Sequence, residues 1–406
     1  MSPAATVRAY VPASRRTPRP TGPFRRRRAP RHRARVLRSL RSAAPALLAY
    51  LVVRLVGLAV LARLAHAKGH GVWPTLATSW DSNWYLGIAD HGYTDELGTR
   101  VNANNLAFFP LYPLLVKAFA AVTPGSRASV ALVLSVVCSF AAAWGVHAVG
   151  ERLHGRRVGT LLAVLWGAFP VAVVQWMGYT ESLFTALAAW SLYAVLTGRW
   201  LAAGALACLA GLARPTGVAL AVAVTLAALL SCRRRHGGPR APALVGAALA
   251  PLGWLGFVGW VGARVGRVDG YFAVQRLWKN EWDGGRATVL ELRQQLFYEP
   301  RPQLFVLAVS ACLVLAVVMY VLCLADRQPL PLLVFTGVLL LVVLGSAGVY
   351  FPRARFLLPG FPLLLPLALA LARARRRLTV AVVLAGATLL SAWLGAHMLL
   401  VWPGPP

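Results

Sequence analysis

Apolar runs separated by short polar turns recur from Ala44 almost to the C-terminus. A helix crosses a bilayer with about 20 mostly apolar residues, because in lipid its backbone polar groups must be satisfied within the segment. Such windows fall at 44–65, 129–149, 158–177, 181–197, 200–213, 215–231, 241–262, 303–324, 330–349, 354–371 and 377–400. They predict an all-α integral membrane protein, a multispanning bundle of eleven helices. The first window could also be read as the h-region of a signal peptide, since Ala65-His66-Ala67 imitates a cleavage site. It is long for that role, and an uncleaved first helix is the expectation. A further apolar stretch, Leu106–Ala121, carries Pro110 and Pro113, which would break a spanning helix. It is expected to be re-entrant or interfacial.

The polar breaks orient the chain. Residues 1–42 are rich in Arg and Pro, include the run Arg25-Arg26-Arg27-Arg28, and hold too little apolar surface to fold alone. They are expected to be a disordered cytoplasmic tail, followed by the transmembrane domain at 43–402. Cytoplasmic loops concentrate Lys and Arg. With the N-terminus inside, the clusters Arg152/Arg156/Arg157, Arg233/Arg234/Arg235 and Arg373/Arg375/Arg376/Arg377 also fall inside, provided that 106–121 enters and leaves on the outside. The C-terminus is then outside. This topology gathers the first loop (66–104), the turns Tyr179-Thr180-Glu181, Arg214-Pro215-Thr216-Gly217 and Phe351–Arg355, and a second large loop (263–302) on the outer face.

Composition agrees. Of 406 residues 58% are hydrophobic and 13% charged, far too apolar for a soluble chain of this length. The net charge of +30 lies in blocks between apolar windows rather than on an aromatic-interleaved surface, so it marks topology and not nucleic acid. Only three of the 42 basic residues are Lys, and the Ala/Gly/Arg/Val bias suggests a GC-rich bacterial genome and a bacterial plasma membrane. The five cysteines have no C-x-x-C spacing, and no dense His/Asp/Glu cluster suggests a metal. No cofactor is indicated, although a divalent metal bound through Asp81 is compatible with the sequence. Gly-rich nucleotide loops are absent.

Four of the 12 acidic residues, Asp81, Asp90, Asp95 and Glu96, lie in the first outer loop. Asp81 opens a segment in which Trp84, Tyr85 and Ile88 share one face of a short helix that Gly92 would end. Two readings of Asp81 stand side by side: an N-cap accepting backbone hydrogen bonds, or a catalytic carboxylate. Arg214, Arg353 and Arg355 fall in outer turns that positive-inside preference would leave uncharged. They read either as snorkelling side chains or as donors to a phosphate, which a guanidinium fork matches. Glu181 could orient a substrate, pair with Arg214, or stabilise a helix N-terminus. Arg54, in the middle of the first window, is costly in lipid and is expected to pair with an acid or a helix end. Phe108 and Phe109 read as core packing or as a lipid-facing or substrate-facing wall.

Trp80-Asp81, Trp84-Tyr85, Gly92-Tyr93, the run Phe108–Pro113 and Tyr179–Phe184 together resemble the PIG-V type mannosyltransferases of the GT-C superfamily of multispanning glycosyltransferases. The resemblance runs from about Ala44 to Leu371 and includes the Arg-Pro-Thr-Gly turn and Arg355-Phe356. It implies a GT-C-like bundle and a donor of the polyprenyl-phosphate-mannose kind, used outside the cytoplasm on a glycolipid or glycan acceptor. The implied acid in the first outer loop matches Asp81. A carboxylate there can take the acceptor proton as the anomeric bond forms, and a single displacement would invert that carbon. The lipid phosphate is already a good leaving group, so one base and a phosphate clamp of Arg214, Arg355 and Arg353 would suffice, with Trp80, Tyr85, His91, Tyr93, Tyr179 and Glu181 around the substrate. Alternatives are a GT-C enzyme using another lipid-linked sugar, a polytopic lipid or solute transporter, and a noncatalytic scaffold.

Overall fold

The computed structural model describes residues 32–233 and 240–404. From Ser39 onward the described residues form one compact unit. The expected basic tail lies outside the described residues as far as residue 31. From His32 onward it is helical, so residues 32–42 belong to a helix rather than to a disordered tail. Among the described residues the only strand-like feature is an isolated bridge between Trp282 and Ser346.

In chain order the helices are α1 (His32–Ala67), then α2 (Val72–Ala77) and α3 (Asp81–His91) in the first loop, and α4 (Leu111–Ala120). The bundle continues with α5 (Arg127–His154), α6 (Arg156–Gly167), α7 (Glu181–Leu196), α8 (Trp200–Gly211), α9 (Gly217–Arg233), α10 (Arg240–Leu249) and α11 (Leu252–Arg264). The second loop holds α12 (Gly270–Leu277) and α13 (Arg286–Arg293), and the chain closes with α14 (Leu304–Ala325), α15 (Leu330–Gly345), α16 (Arg353–Phe356), α17 (Leu365–Arg373) and α18 (Arg377–Leu400). Five helical stretches are long and apolar enough to cross a membrane: Leu37–Ala67, Arg127–His154, Arg240–Arg264, Leu304–Ala325 and Arg377–Leu400. The protein is a multi-pass membrane protein.

The remaining windows fold as shorter or broken helices, so that among the described residues apolar helices of 10–17 residues stand beside the five long ones. Helices α7 and α8 have 16 and 12 residues. At about 1.5 Å per residue these run roughly 18–24 Å, short of a hydrocarbon core of about 30 Å. Their polar ends at Thr180-Glu181 and Arg214-Pro215 are therefore recessed into the bundle. Pro110 and Pro113 leave α4 with 10 residues, too few to cross.

Where helices meet most closely, glycine allows it. A Cβ on Gly204 would sit 2.4 Å from the Gly246 carbonyl oxygen, and one on Gly253 would sit 1.8 Å from that of Cys208. In lipid, dispersion at such small-residue contacts replaces the hydrophobic effect as the force between helices. Arg54 is buried in α1 and donates to the carbonyl of Gly167, the last residue of α6, 3.1 Å away. The expected helix-end partner is thus the one observed.

Gly253→Val is expected to lower the thermal midpoint in detergent, with a loss on the order of 1–3 kcal/mol or more from overpacking. Gly256→Val, where an added Cβ meets nothing within 4 Å, should leave the midpoint close to that of the unmodified protein.

Candidate functional site

Trp80 adopts φ 51° and ψ −115° immediately before α3. A non-glycine residue at positive φ is strained, and here it ends the loop and starts the helix at Asp81. The helix cap is Trp80, and its side chain makes no capping hydrogen bond. Asp81 is the first helical residue, so the N-cap reading of Asp81 is corrected. Its carboxylate instead reaches across the structure to α16, where Arg355 Nη2 donates to Oδ2 at 2.6 Å. Gly92 does end α3, with φ 79°.

From Arg355 the charges continue inward. Arg355 Nη1 lies 3.5 Å from Glu181 Oε1, and Arg214 Nη1 lies 2.7 Å from the same oxygen. Arg214 Nη1 also donates to Thr180 Oγ1 at 2.9 Å, and Thr180 shares a hydrogen bond with the Tyr85 hydroxyl at 3.2 Å. Arg355 rests over the Tyr179 ring, 5.1 Å to its centroid, and Phe356 sits 5.1 Å from Arg355 and 5.4 Å from Arg214. Each cation thus has an aromatic face as well as a carboxylate. Glu181 is 1% exposed, whereas the Asp81 side chain is 23% exposed. Asp81 is the opening of an otherwise closed charge chain.

The chain is balanced, with two carboxylates against two guanidinium groups. Burial works against the Arg355 charge, but Asp81 and Glu181 outweigh it, raising the guanidinium pKa above its ordinary value. The contacts around Glu181 are contacts of charge more than well-directed hydrogen bonds. Both its carboxylate oxygens, and Nε and Nη1 of Arg355, are buried without a hydrogen-bond partner. Donor capacity therefore remains on Arg355. Among the described residues no three His, Cys, Asp or Glu side chains group as metal ligands.

The second loop holds α16 in place. Asp283 accepts from the backbone N–H groups of Ala287 and Gly285, which cap α13 and hold its carboxyl below the usual range. Thr288 donates to the Leu344 carbonyl at 2.5 Å, and Arg353 donates to Thr288 and, at 2.7 Å, to the Ser346 carbonyl. Arg353 is therefore occupied in docking this loop, outside the charge chain that contains Arg355.

The other candidates lie around this cluster and along the first loop. Tyr85 and Tyr179 belong to the cluster, and Trp80 is 43% exposed beside it. His91, at the exposed end of α3, lines a surface cleft of about 400 Å³ with Asn83, Trp84 and Asn105. Tyr93 faces another way: its hydroxyl donates to the Phe108 carbonyl at 2.8 Å, and its ring meets Trp260. Phe108 stacks on Trp84, while Phe109 is buried against Phe257. Thr180 and Phe356 were not singled out from the sequence, although each adjoins a charged residue that was.

The profile of the dolichyl-phosphate-mannose-protein mannosyltransferase family matches residues 109–260. That stretch includes Thr180, Glu181 and Arg214 and leaves out Asp81 and Arg355. No curated protein matches the chain. Among solved structures, the oligosaccharyltransferase AglB from Archaeoglobus fulgidus, in complex with an inhibitory peptide and a dolichol-phosphate, is similar over 88% of this chain, with 14% identity and a TM-score of 0.50. The fold is GT-C-like. The same archaeal oligosaccharyltransferase tethered with an acceptor peptide aligns with 13% identity and a TM-score of 0.48, also over 88% of this chain. In both alignments 56% of the archaeal chain is covered, so this chain spans just over half the length of its GT-C-like relative.

Removing one partner of a buried ion pair costs about 3–5 kcal/mol, because the other charge is left uncompensated. Glu181→Ala, which leaves Arg214 and Arg355 facing one another, is expected to cut the thermal midpoint sharply in detergent. Asp81→Asn, at the open end, should lower it much less.

Proposed function

We propose that the protein is a membrane glycosyltransferase that moves a mannosyl residue from polyprenyl-phosphate-mannose to an extracytoplasmic glycan or glycolipid. The observation that carries this reading is the joining, through Arg355, of a half-open carboxylate to a recessed pair of arginines at one end of a multi-pass bundle. The GT-C-like fold and the mannosyltransferase family profile support the reaction class, and the motifs around Asp81 and Glu181 support a PIG-V type enzyme. Asp81 takes the proton of the acceptor hydroxyl while that oxygen attacks the anomeric carbon from the face opposite the phosphate, and the configuration inverts. The lipid phosphate departs with its charge held by Arg214 and Arg355, whose forks suit phosphate oxygens.

Arg353 serves this site by holding the loop that carries Arg355. Trp80, Tyr85 and Tyr179 wall the recess, Glu181 positions the two arginines, His91 belongs to the outer rim that admits the acceptor, and Tyr93 supports the first loop from behind. The protein lies in a bacterial plasma membrane with its N-terminus and the Arg233 end in the cytoplasm, which places the site outside.

Asp81→Asn is expected to reduce transfer of radiolabelled mannose from polyprenyl-phosphate-mannose to endogenous membrane acceptors by roughly 10²–10⁴-fold, the usual contribution of a positioned base. Retained transfer in a folded, inserted variant would remove Asp81 from that role. A reporter inserted between Arg233 and Arg240 should report a cytoplasmic location, and an external one would invert the topology.

A further inference from the structure

The arrangement raises a chemical difficulty. Asp81 Oδ2 already accepts a 2.6 Å hydrogen bond from the Arg355 guanidinium, so that oxygen is occupied by a donor other than an acceptor hydroxyl. The same guanidinium keeps Nε and Nη1 without hydrogen-bond partners although it is 5% exposed. Buried donors of this kind are seldom left unmatched. The charge chain is also neutral before any substrate arrives, so an incoming phosphodiester brings one negative charge that must find its cation among those already committed.

Resting on the function proposed above, we propose that Arg355 is a shared cation, held by Asp81 in the resting protein and drawn onto the donor phosphate when the donor binds, so that Asp81 becomes a competent base only with donor in place. The groups facing Arg355 are Asp81 from α3, Glu181 from α7, and the rings of Tyr179 and Phe356. Arg214 approaches Glu181 to 2.7 Å, against 3.5 Å for Arg355. Glu181 is therefore already matched by Arg214, and Arg355 is the cation free to change partners. Phe356 is joined to Arg355 in the chain and Tyr179 lies beneath it, so the guanidinium can turn over an aromatic surface while remaining charged. In the reaction the acceptor O–H bond breaks and its proton goes to Asp81. The new bond from that oxygen to the anomeric carbon forms as the carbon–phosphate oxygen bond breaks. The electron pair leaves on the phosphate, which Arg355 holds, and departure of the lipid phosphate returns Arg355 to Asp81 once the proton is released to water.

Sharing of this kind ties two properties that independent residues would keep apart. Asp81 competes with the donor phosphate for Arg355, so removing its charge must strengthen phosphate binding even as it abolishes transfer. A base acting independently of the clamp would leave phosphate binding unchanged, and a purely structural ion pair would weaken it when broken.

The test is equilibrium binding of a radiolabelled polyprenyl methyl phosphodiester, which carries a fixed single charge and no sugar, to the full chain in nanodiscs. Asp81→Asn should bind this probe roughly five- to tenfold more tightly than the unmodified protein, the lower end of ordinary coupling between sites. In an Arg355→Gln background the same change should produce no gain. Equal or weaker binding by Asp81→Asn, in protein whose thermal midpoint shows it folded, overturns the shared cation. Should that occur while Asp81→Asn still abolishes transfer, the transferase reading stands without it. A probe that binds neither the unmodified protein nor any variant overturns both.

Discussion

Charge inside a membrane protein is tolerable only when matched, and the candidate site of this structure is organised around one such match. Asp81, Arg355, Glu181 and Arg214 come from α3, α16, the start of α7 and the turn before α9, four regions that share no local contact in sequence. None of them could sit where it does without its neighbour, since an unmatched ion in a medium of low dielectric costs several kcal/mol. The requirement explains why α7 and α9 begin, and α8 ends, where they do. Their polar ends converge on the charges, and helices long enough to reach the bilayer surface would pull them apart. It also explains the docking of the second loop, because Arg353, Thr288 and Asp283 fix the turn that carries Arg355.

The helical class of the fold was legible because lipid imposes it. Each apolar window of the sequence returns as a helix or a pair of helices, and the break that Pro110 and Pro113 predict is present. Length was less legible. Hydropathy records that a segment is apolar but not whether it faces lipid or protein, and α7, nearly buried throughout, is as apolar as a span while being too short for one. The start of α1 was misplaced for the opposite reason: residues 32–42 are basic, and nothing in their composition distinguishes a helical extension from a tail.

At the site, the sequence reading identified the charged residues because acids are scarce and because arginines at outer turns are unexpected. Pairing is another matter. Asp81 and Arg355 are separated by most of the chain, and no periodicity relates them, so the sequence leaves a cap and a catalytic acid as equal readings, and the helix start at Asp81 removes the cap. Arg353 and Arg355 looked equivalent, two positions apart in one turn, yet they face different partners. A four-residue helix turns side chains two positions apart to different sides, which separates the arginine that docks a loop from the one that meets Asp81.

The central claim is that donor phosphate and catalytic carboxylate meet at this charge chain. The most direct measurement is a cryo-electron microscopy structure of the protein in nanodiscs with a non-transferable polyprenyl-phosphate-sugar analogue. The account predicts the phosphate within hydrogen-bond distance of Arg355 or Arg214 and the anomeric carbon facing Asp81. A headgroup bound at Arg353, or at the Arg233 end of the bundle, would contradict it.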